Sequence, residues 1–503
     1  MTNPTSPSLR LLALLLAAVL PRLAAAQATE TAEAPERPNI LLIVADDMNW
    51  DSVGVYGSPI KDLTPHIDQL ASDGLRFEHA HVIVSACWPS RHALLTGRYP
   101  HRSGGEGFAP LRISGVPTLP ALLKDSGYRV GVIGKAKHST PHEDFEWDMR
   151  IDTLESGRGR SPKLLAESLE RIIEESRAAE QPFFLMANSH DPHRPFHGQD
   201  DPTRYESEEF PTVRPSRRLT KEEISVPPFL PDLPMVRKDL AAYFESVGRL
   251  DEGVGALLAV LAAEELEDDT LVVFLSDNGM SFPFVKANCY RHSTRTPLIV
   301  RWPGHVESDV MRSEEMISGV DLMPTLLGVA GVGIPDGVDG DSFWPLVEGE
   351  SQPDRQYAFT QYYGTIHGDV VPMRSVQGRR YGYNFNPWSD GKAEYLKVEY
   401  TSSPTMQAMG RAAMSDIELD VRIYTLVKRT PEEFFDYERD PHGLRNLIHD
   451  AEYADEIAAM RKRLETWMVR FEDPALEAFR KRESPEARRA YVEACARIMS
   501  GGE

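Results

Sequence analysis

The sequence predicts an α/β fold in which helices flank a large, mostly parallel β-sheet, followed by a smaller C-terminal α+β subdomain. Short, uninterrupted apolar runs recur along the first 300 residues, with amphipathic helical patterns between them. This alternation is typical of chains that build a buried parallel sheet. After about residue 350, a hairpin pattern and a charged helical tail replace these runs. The length of 503 residues also exceeds that of one ordinary domain.

The chain begins with the pattern of an export signal. Arg10 precedes the apolar run Leu11 to Leu20, and small residues stand before Gln27, as in a signal peptide and its cleavage site. The run is shorter than the ~20 apolar residues of a membrane-spanning helix. We therefore expect a signal peptide over 1–26, with an uncleaved anchor helix as the alternative, and a polar linker over 27–36. The mature protein is expected to be exported, periplasmic or secreted, without a membrane span.

The strands and helices of the first domain follow from the spacing of apolar residues. Continuous apolar runs suit strands that are covered on both faces, and they occur at 39–45, 130–133, 183–187, 271–275 and 298–300. Apolar residues at spacings of three and four predict amphipathic helices over 164–179 and 240–261. These elements assign residues 37–350 to the N-terminal domain.

The C-terminal subdomain is predicted over residues 351–503. The segment 373–385 has the pattern of a hairpin that turns near Gly378. A charged, helical tail is expected over 452–499.

The formal net charge of −22 argues against a basic face that binds polyanions over a large area, so a polyanionic substrate would need a local cluster of Arg, Lys and His. Nucleic acids and anionic membrane surfaces are therefore not expected as partners.

An exported chain with only three cysteines has no disulfide framework. Cys289 and Cys495 can pair with each other or stay free, and both alternatives remain open.

Polar side chains follow four of the predicted strands at their carboxyl ends, where open α/β sheets form their sites. These exits are Asp46-Asp47, Lys135 to His138, Asn188 to His193 and Ser276 to Gly279. The oxygens of Asp46, Asp47, Asp277 and Asn278 would repel one another without a cation. An all-oxygen set favours Ca²⁺ or Mg²⁺ over zinc. The alternative is that the same residues only cap helices and form turns.

Cys87 stands at the predicted start of a helix. Pro89 suits the first helical turn, and Arg91 lies one turn further on. The backbone N–H groups at a helix N-terminus favour an anion, which Arg91 can also reach. The alternative for Cys87 is a buried structural cysteine.

The motif Cys-x-Pro-Ser-Arg-x-x-x-Leu-Thr-Gly over 87–97 resembles the signature of the type I, formylglycine-dependent sulfatases. The resemblance extends to 46–47, 276–279, 297–304, 320–326 and 436–441. It implies an alkaline-phosphatase-like fold with 37–350 as the catalytic domain. It also implies a sulfatase in which separate maturation machinery converts Cys87 to formylglycine. The hydrate of this formylglycine would attack the sulfur atom of the substrate. The implied metal is Ca²⁺, with Mg²⁺ as the alternative, and the implied ligands are Asp46, Asp47, Cys87, Asp277 and Asn278.

The resemblance also implies roles for the remaining polar residues. Arg91 would hold the formylglycine. The sulfate group and the protons would be handled by Lys135, His138, His193 and Lys286. Two residues separate Lys135 from His138, where most members of the family have one, so Lys137 is an alternative to Lys135.

Four further segments are similar to the N-sulfoglucosamine sulfohydrolases within this family, namely 190–194, 286–290, 293–297 and 372–376. They imply hydrolysis of the N-sulfate of glucosamine residues in heparin or heparan sulfate. The implied substrate contacts are His190, Arg291, His292, Arg295 and Arg374, and His367 is a weaker candidate. His190 has the alternative of an orienting or core histidine.

Three other functions remain open at this point. They are an O-sulfatase on another sulfated polysaccharide, a phosphonate or phosphate monoester hydrolase, and a non-catalytic protein that binds sulfated glycans. The sequence does not determine the oligomeric state.

Overall fold

A computed structural model of the chain describes Met1 and residues 37–152, 157–199, 213–396 and 398–500. The predicted signal peptide and linker lie outside the described residues apart from Met1. Residues 38–503 form one compact unit, and the division near residue 350 remains a prediction. Within the described ranges, no helix is both long and apolar enough to cross a bilayer.

The large sheet has eight strands in the order β4-β3-β5-β1-β6-β7-β2-β8. The strands are β1 Asn39–Ala45, β2 Leu75–His81, β3 Arg129–Ile133, β4 Met149–Ile151, β5 Phe183–Asn188, β6 Thr270–Ser276, β7 Arg295–Arg301 and β8 Val310–Ser318. Pairing is parallel from β4 to β6 and between β2 and β8, whereas β7 is antiparallel to both of its neighbours. The mostly parallel sheet and all five predicted strands are confirmed.

Strand β1 is buried on both faces because its alternate side chains enter two different cores. Leu41 and Ile43 pack in the core that contains the helices Pro162–Ala179 and Pro234–Ala263. Leu42 packs in the core on the other face. This arrangement explains why the strand is a continuous apolar run rather than an alternating one.

The register of the central strands brings their polar exits to one edge. Val44 pairs with Asn188 on β5, and Ala45 pairs with Ser276 on β6. The residues that follow β1 and β6, and the end of β5, therefore emerge side by side.

The two predicted helices are confirmed, and the second begins six residues earlier than predicted, at Pro234. The described α-helices are Pro65–Ser72, Cys87–Thr96, Pro100–Ser103, Leu119–Asp125, Pro162–Ala179, Pro234–Ala263, Arg291–Thr294, Leu322–Val329, Trp344–Val347, Pro404–Ala413, Ile417–Lys428, Ala454–Arg470, Leu476–Arg480 and Pro485–Met499.

A separate antiparallel sheet in the C-terminal part has the order β12-β11-β10-β9. Its strands are β9 Tyr357–Gly364, β10 Val370–Gly378, β11 Tyr381–Phe385 and β12 Glu432–Asp436. The predicted hairpin is confirmed as β10 and β11. The helical tail is three helices rather than one, because Pro474 and Pro485 interrupt the helical hydrogen bonds.

Asp251 ties the long helix Pro234–Ala263 to the helix that begins at Pro65. Its carboxylate accepts hydrogen bonds from the backbone N–H groups of His66 and Ile67, at 3.1 and 2.8 Å. Burial raises the pKa of Asp251 to about 7, above the value of about 3.9 for an unfolded chain. Because the folded state binds this proton more tightly, the free energy of unfolding decreases as pH rises from about 4 to about 7.

Asp251→Asn keeps an acceptor oxygen without the buried charge. We expect the Tm of this variant minus that of the wild type to be a few degrees larger at about pH 8 than at about pH 5. Calorimetry at both pH values measures this difference. Asp232→Asn, at an exposed carboxylate paired with Arg237, is the control that lacks this gain. A Tm difference for Asp251→Asn that stays constant with pH would contradict the assignment.

Candidate active site

Cys87 is the first residue of the helix Cys87–Thr96 and is only 6% exposed. The preceding residue, Ala86, is extended, so the chain turns sharply into the helix at the cysteine. The Ser90 hydroxyl donates to the backbone carbonyl of Asp277 at 2.6 Å, which fixes the helix against the exit of β6. Burial raises the pKa of the Cys87 thiol to about 12, so the unmodified side chain is a neutral thiol and a weak nucleophile.

The exits of β1 and β6 form a buried cluster of oxygens. The carboxylates of Asp46, Asp47 and Asp277 lie within 4.8 Å of one another, and the Asn278 amide nitrogen donates to Asp47 Oδ1 at 2.7 Å. Among the described residues, the buried Asp46 Oδ1 and Asn278 Oδ1 receive no hydrogen bond. Buried oxygens without a hydrogen bond destabilise the folded state, and such oxygens are suitable ligands for a hard dication. The residues present therefore fit the Ca²⁺ or Mg²⁺ that the sequence implies.

Arg91 connects the helix to this cluster. Its guanidinium is fully buried, donates to Asp277 Oδ2 at 2.9 Å and also bonds Asn188 Oδ1. Burial raises the pKa of Asp277 to about 7, and the charges of Asp46 and Asp47 reinforce this rise against the opposing effect of Arg91. Arg91 alone thus does not balance the three carboxylates.

Two lysines pair with the other two carboxylates. Lys135 Nζ lies 2.5 Å from Asp46 Oδ2, and Lys286 Nζ donates to Asp47 Oδ2 at 2.6 Å. Lys135 has the left-handed φ of 46°, which directs the chain into the short 3-10 helix Ala136–Ser139. The structure places Lys137 differently, with its Nζ 5.2 Å from the ring centre of Trp88.

The loop after β5 brings two histidines to the carboxylates. His190 Nδ1 lies 3.4 Å from Asp46 Oδ2, and His193 Nε2 lies 3.8 Å from Asp47 Oδ2. Between them, the buried carboxylate of Asp191 accepts two hydrogen bonds from Arg249 at 2.6 and 2.8 Å. Arg160 donates to the backbone carbonyl of His193 at 3.0 Å. These two arginines support the loop, and no local sequence pattern indicates them.

A cavity of about 300 Å³ opens onto Cys87. Its lining residues are Ala86, Cys87, Phe108, Lys135, His138, His193, Lys286, Ala287, Tyr362, Thr365, Ile366, His367 and Val398. The turn between β9 and β10 supplies Thr365, Ile366 and His367, so the C-terminal sheet forms one wall of the pocket. Sequence reasoning did not identify this wall apart from His367.

None of the five expected substrate contacts is among the residues that line this pocket; His190 lies beside Asp46 instead, and only the weaker candidate His367 lines it. Arg374 is fully buried in an ion pair with Asp473 at 2.6 Å. Arg295 lies over the ring of Trp50 at 3.5 Å, and Arg291 lies over the ring of Tyr437 at 4.9 Å. His292 lines a different cavity. The positions of these residues in the sequence do not reveal these contacts, and their roles as substrate contacts remain predictions.

Two family profiles match the chain. The profile described as Sulfatase matches residues 38–332, and the profile described as N-sulphoglucosamine sulphohydrolase, C-terminal, matches residues 281–386. The human N-sulphoglucosamine sulphohydrolase is 32% identical over 472 residues, which cover 87% of this chain and 91% of that protein. An ulvan-active sulfatase of Formosa agariphila is 26% identical, with 88% of this chain and 76% of that protein covered.

Solved structures share the fold at lower identity. A protein in complex with its substrate D-glucosamine-2-N,6-O-disulfate has a TM-score of 0.63 at 20% identity, covering 87% of this chain and 99% of that one. The phosphonate monoester hydrolase of Agrobacterium radiobacter has a TM-score of 0.61 at 19% identity, covering 86% and 96%. The Sulfatase profile alone spans more than half of the sequence. The chain therefore belongs to the sulfatase family and is a hydrolase of sulfate esters or sulfamates.

Proposed function

We propose that this enzyme removes the N-sulfate from glucosamine residues of heparin or heparan sulfate, and that formylglycine made from Cys87 is its nucleophile. The observation that carries the proposal is the shared pocket of Cys87, Lys135, His193 and Lys286 beside the buried oxygen cluster. A cysteine used only for packing has no need of two ammonium groups and three carboxylates around it.

The hydrate of formylglycine supplies two hydroxyls, one that attacks sulfur and one whose deprotonation releases sulfate and restores the aldehyde. Arg91 is held by Asp277 and Asn188 at both ends of its guanidinium, so it presents a fixed positive charge one helical turn from position 87. A cation would supply further positive charge for the sulfate oxygens. Its proposed ligands are Asp46, Asp47, Asp277 and Asn278.

The lysines and histidines would bind the sulfate and transfer protons. Lys135 and Lys286 present ammonium groups to the pocket, where an anion replaces part of their pairing with Asp46 and Asp47. His193 Nδ1 donates to the carbonyl of Arg194, so Nε2 of the doubly protonated ring would give its proton to the leaving nitrogen. Burial, together with the charge of Lys135, lowers the pKa of His138 to about 2, and a neutral His138 would serve as a hydrogen-bonding group.

The N-sulfate preference is supported by the C-terminal profile over 281–386 and by the 32% identity to the human N-sulphoglucosamine sulphohydrolase. An O-sulfatase is the second candidate, favoured by the 26% identity to the ulvan-active sulfatase. The pocket of about 300 Å³ suits one terminal sugar residue in either case.

A panel of defined heparin saccharides tests the proposal. We expect sulfate release from glucosamine N-sulfate and none from 6-O-sulfated N-acetylglucosamine, measured as free sulfate by ion chromatography. The opposite preference would exclude the N-sulfatase while leaving a sulfatase in place.

Trp88 occupies the variable position of the motif and contacts His138. The two rings stack with centroids 4.9 Å apart at 14°, and the Trp88 Nε1–H donates to His92 Nε2 at 2.8 Å. We expect Trp88→Leu to lower kcat/KM about tenfold, because the histidine loses the flat surface that orients it. Trp88→Phe keeps a ring face and is expected to retain most of the activity. Both rates are normalised to the fraction of formylglycine found by mass spectrometry, and equal losses in the two variants would refute the positioning role.

A further inference from the structure

A second cavity, of about 160 Å³, shares no lining residue with the Cys87 pocket. Its walls are largely aromatic and are formed by Phe229, Phe284, Tyr290 and Phe435. Phe284 and Tyr290 flank the segment of Lys286 and Ala287, which lines the Cys87 pocket. One stretch of chain therefore contributes to both cavities.

Arg422 brings a positive charge to this second cavity. It is half-buried, its guanidinium lies 5.2 Å from the ring centre of Phe284, and it donates to the backbone carbonyl of Phe229 at 2.5 Å. In the described part of the chain, no carboxylate lies within ion-pair distance of it. Its other hydrogen bond is a long one, 3.5 Å to the backbone carbonyl of Pro228, although this chain carries an excess of acids, at −22 overall. An unpaired guanidinium in a cavity favours an anionic ligand.

Two histidines and a carboxylate add hydrogen-bonding groups. His292 is 5% exposed, its Nε2 lies 3.3 Å from His442 Nδ1, and its buried Nδ1 has no hydrogen-bond partner among the described residues. Glu433 also lines the cavity, and it accepts a hydrogen bond from the Tyr290 hydroxyl at 2.8 Å. The cavity therefore offers both donors and acceptors beside its aromatic walls.

We propose that this cavity binds an anionic sugar residue, with the Arg422 guanidinium on the carboxylate or sulfate group. The aromatic faces match the apolar C–H faces of a pyranose ring. The imidazole of His292 and the carboxylate of Glu433 match its hydroxyls. A small inorganic anion uses the guanidinium but leaves the aromatic walls uncovered, and a neutral sugar leaves the guanidinium unpaired.

Ligand-observed NMR titrations of the full-length enzyme test this site. The probes are D-glucuronate, D-glucose 6-sulfate, inorganic sulfate and D-glucose. We expect saturable binding of at least one of the two acidic sugars, and at least about tenfold weaker binding of D-glucose and of inorganic sulfate. Whichever acidic sugar binds more tightly identifies the anionic group.

Two variants assign the binding to the cavity. Arg422→Ala removes the charge, and Leu444→Trp fills the cavity from its rim, where Leu444 is 49% exposed. Each is expected to raise the Kd of the acidic sugar at least about tenfold. Arg439→Ala, at an exposed arginine paired with Glu452, is the matched control with an unchanged Kd.

The proposal is overturned if no acidic sugar binds, if D-glucose binds equally well, or if neither variant changes the Kd. The measurement detects binding without turnover, so its result does not depend on the proposed hydrolysis of N-sulfate.

Discussion

Replacing Cys87 by alanine is expected to lower kcat by about four orders of magnitude or more, the size of effect seen when an enzyme loses its nucleophile. The change removes one sulfur atom from the pocket wall and leaves the buried pairing of Arg91 with Asp277 intact. We therefore expect the Tm to stay within a few degrees of the wild-type value. Sulfate release and calorimetry on the same preparation measure the two quantities.

Cys289→Ala is the matched control for this experiment. Like Cys87, Cys289 is buried and forms no disulfide, but it does not line the pocket. Its variant is expected to retain wild-type kcat while losing some stability, because a buried side chain has been truncated. Mass spectrometry of the wild-type peptide is expected to show an aldehyde at position 87. Wild-type turnover by Cys87→Ala would refute the assignment of the nucleophile.

The sequence predicts the sheet and the location of the site because both depend on short-range patterns. A continuous apolar run such as 39–45 indicates a strand buried on both faces, and its register with β5 and β6 carries Asp46 and Asp277 to the same edge. The carboxyl ends of parallel strands lie at one edge of any open α/β sheet, but it is the strand order β5-β1-β6, which these patterns do not give, that places the exits side by side.

The remaining parts depend on contacts between residues far apart in the chain. Arg249 reaches Asp191 from a helix 58 residues away, and Arg374 reaches Asp473 across 99 residues. Arg374 lies within the segment 372–376, which is similar to the N-sulfoglucosamine sulfohydrolases, yet its guanidinium is fully buried in this pair. Neither hydropathy nor spacing distinguishes an arginine that contacts substrate from one that neutralises a distant carboxylate. The pocket wall at Ile366 could not be predicted from the sequence either, because a turn between two strands has no periodic pattern.

Chelation of the proposed cation is expected to lower both activity and stability. Without a cation, Asp46 Oδ1 and Asn278 Oδ1 remain buried without a hydrogen-bond partner among the described residues, which destabilises the folded state. A ligand that binds only the folded protein stabilises it by about 2.7 kcal/mol when its free concentration is about 100 times its Kd. Calorimetry of the EDTA-treated enzyme is therefore expected to show a Tm that rises by several degrees when Ca²⁺ is added back.

Ca²⁺ is expected to restore sulfate release better than Zn²⁺, because the side-chain oxygens of Asp46, Asp47 and Asn278 suit a hard cation. Asp277→Ala removes one proposed ligand, and its Tm is expected to respond little to Ca²⁺. Asp309→Asn, at a carboxylate that is 77% exposed, is the control that responds like the wild type. Full activity in enzyme shown by elemental analysis to contain no metal would disprove the metal site. An equal Ca²⁺ response in Asp277→Ala would move that site away from the exits of β1 and β6.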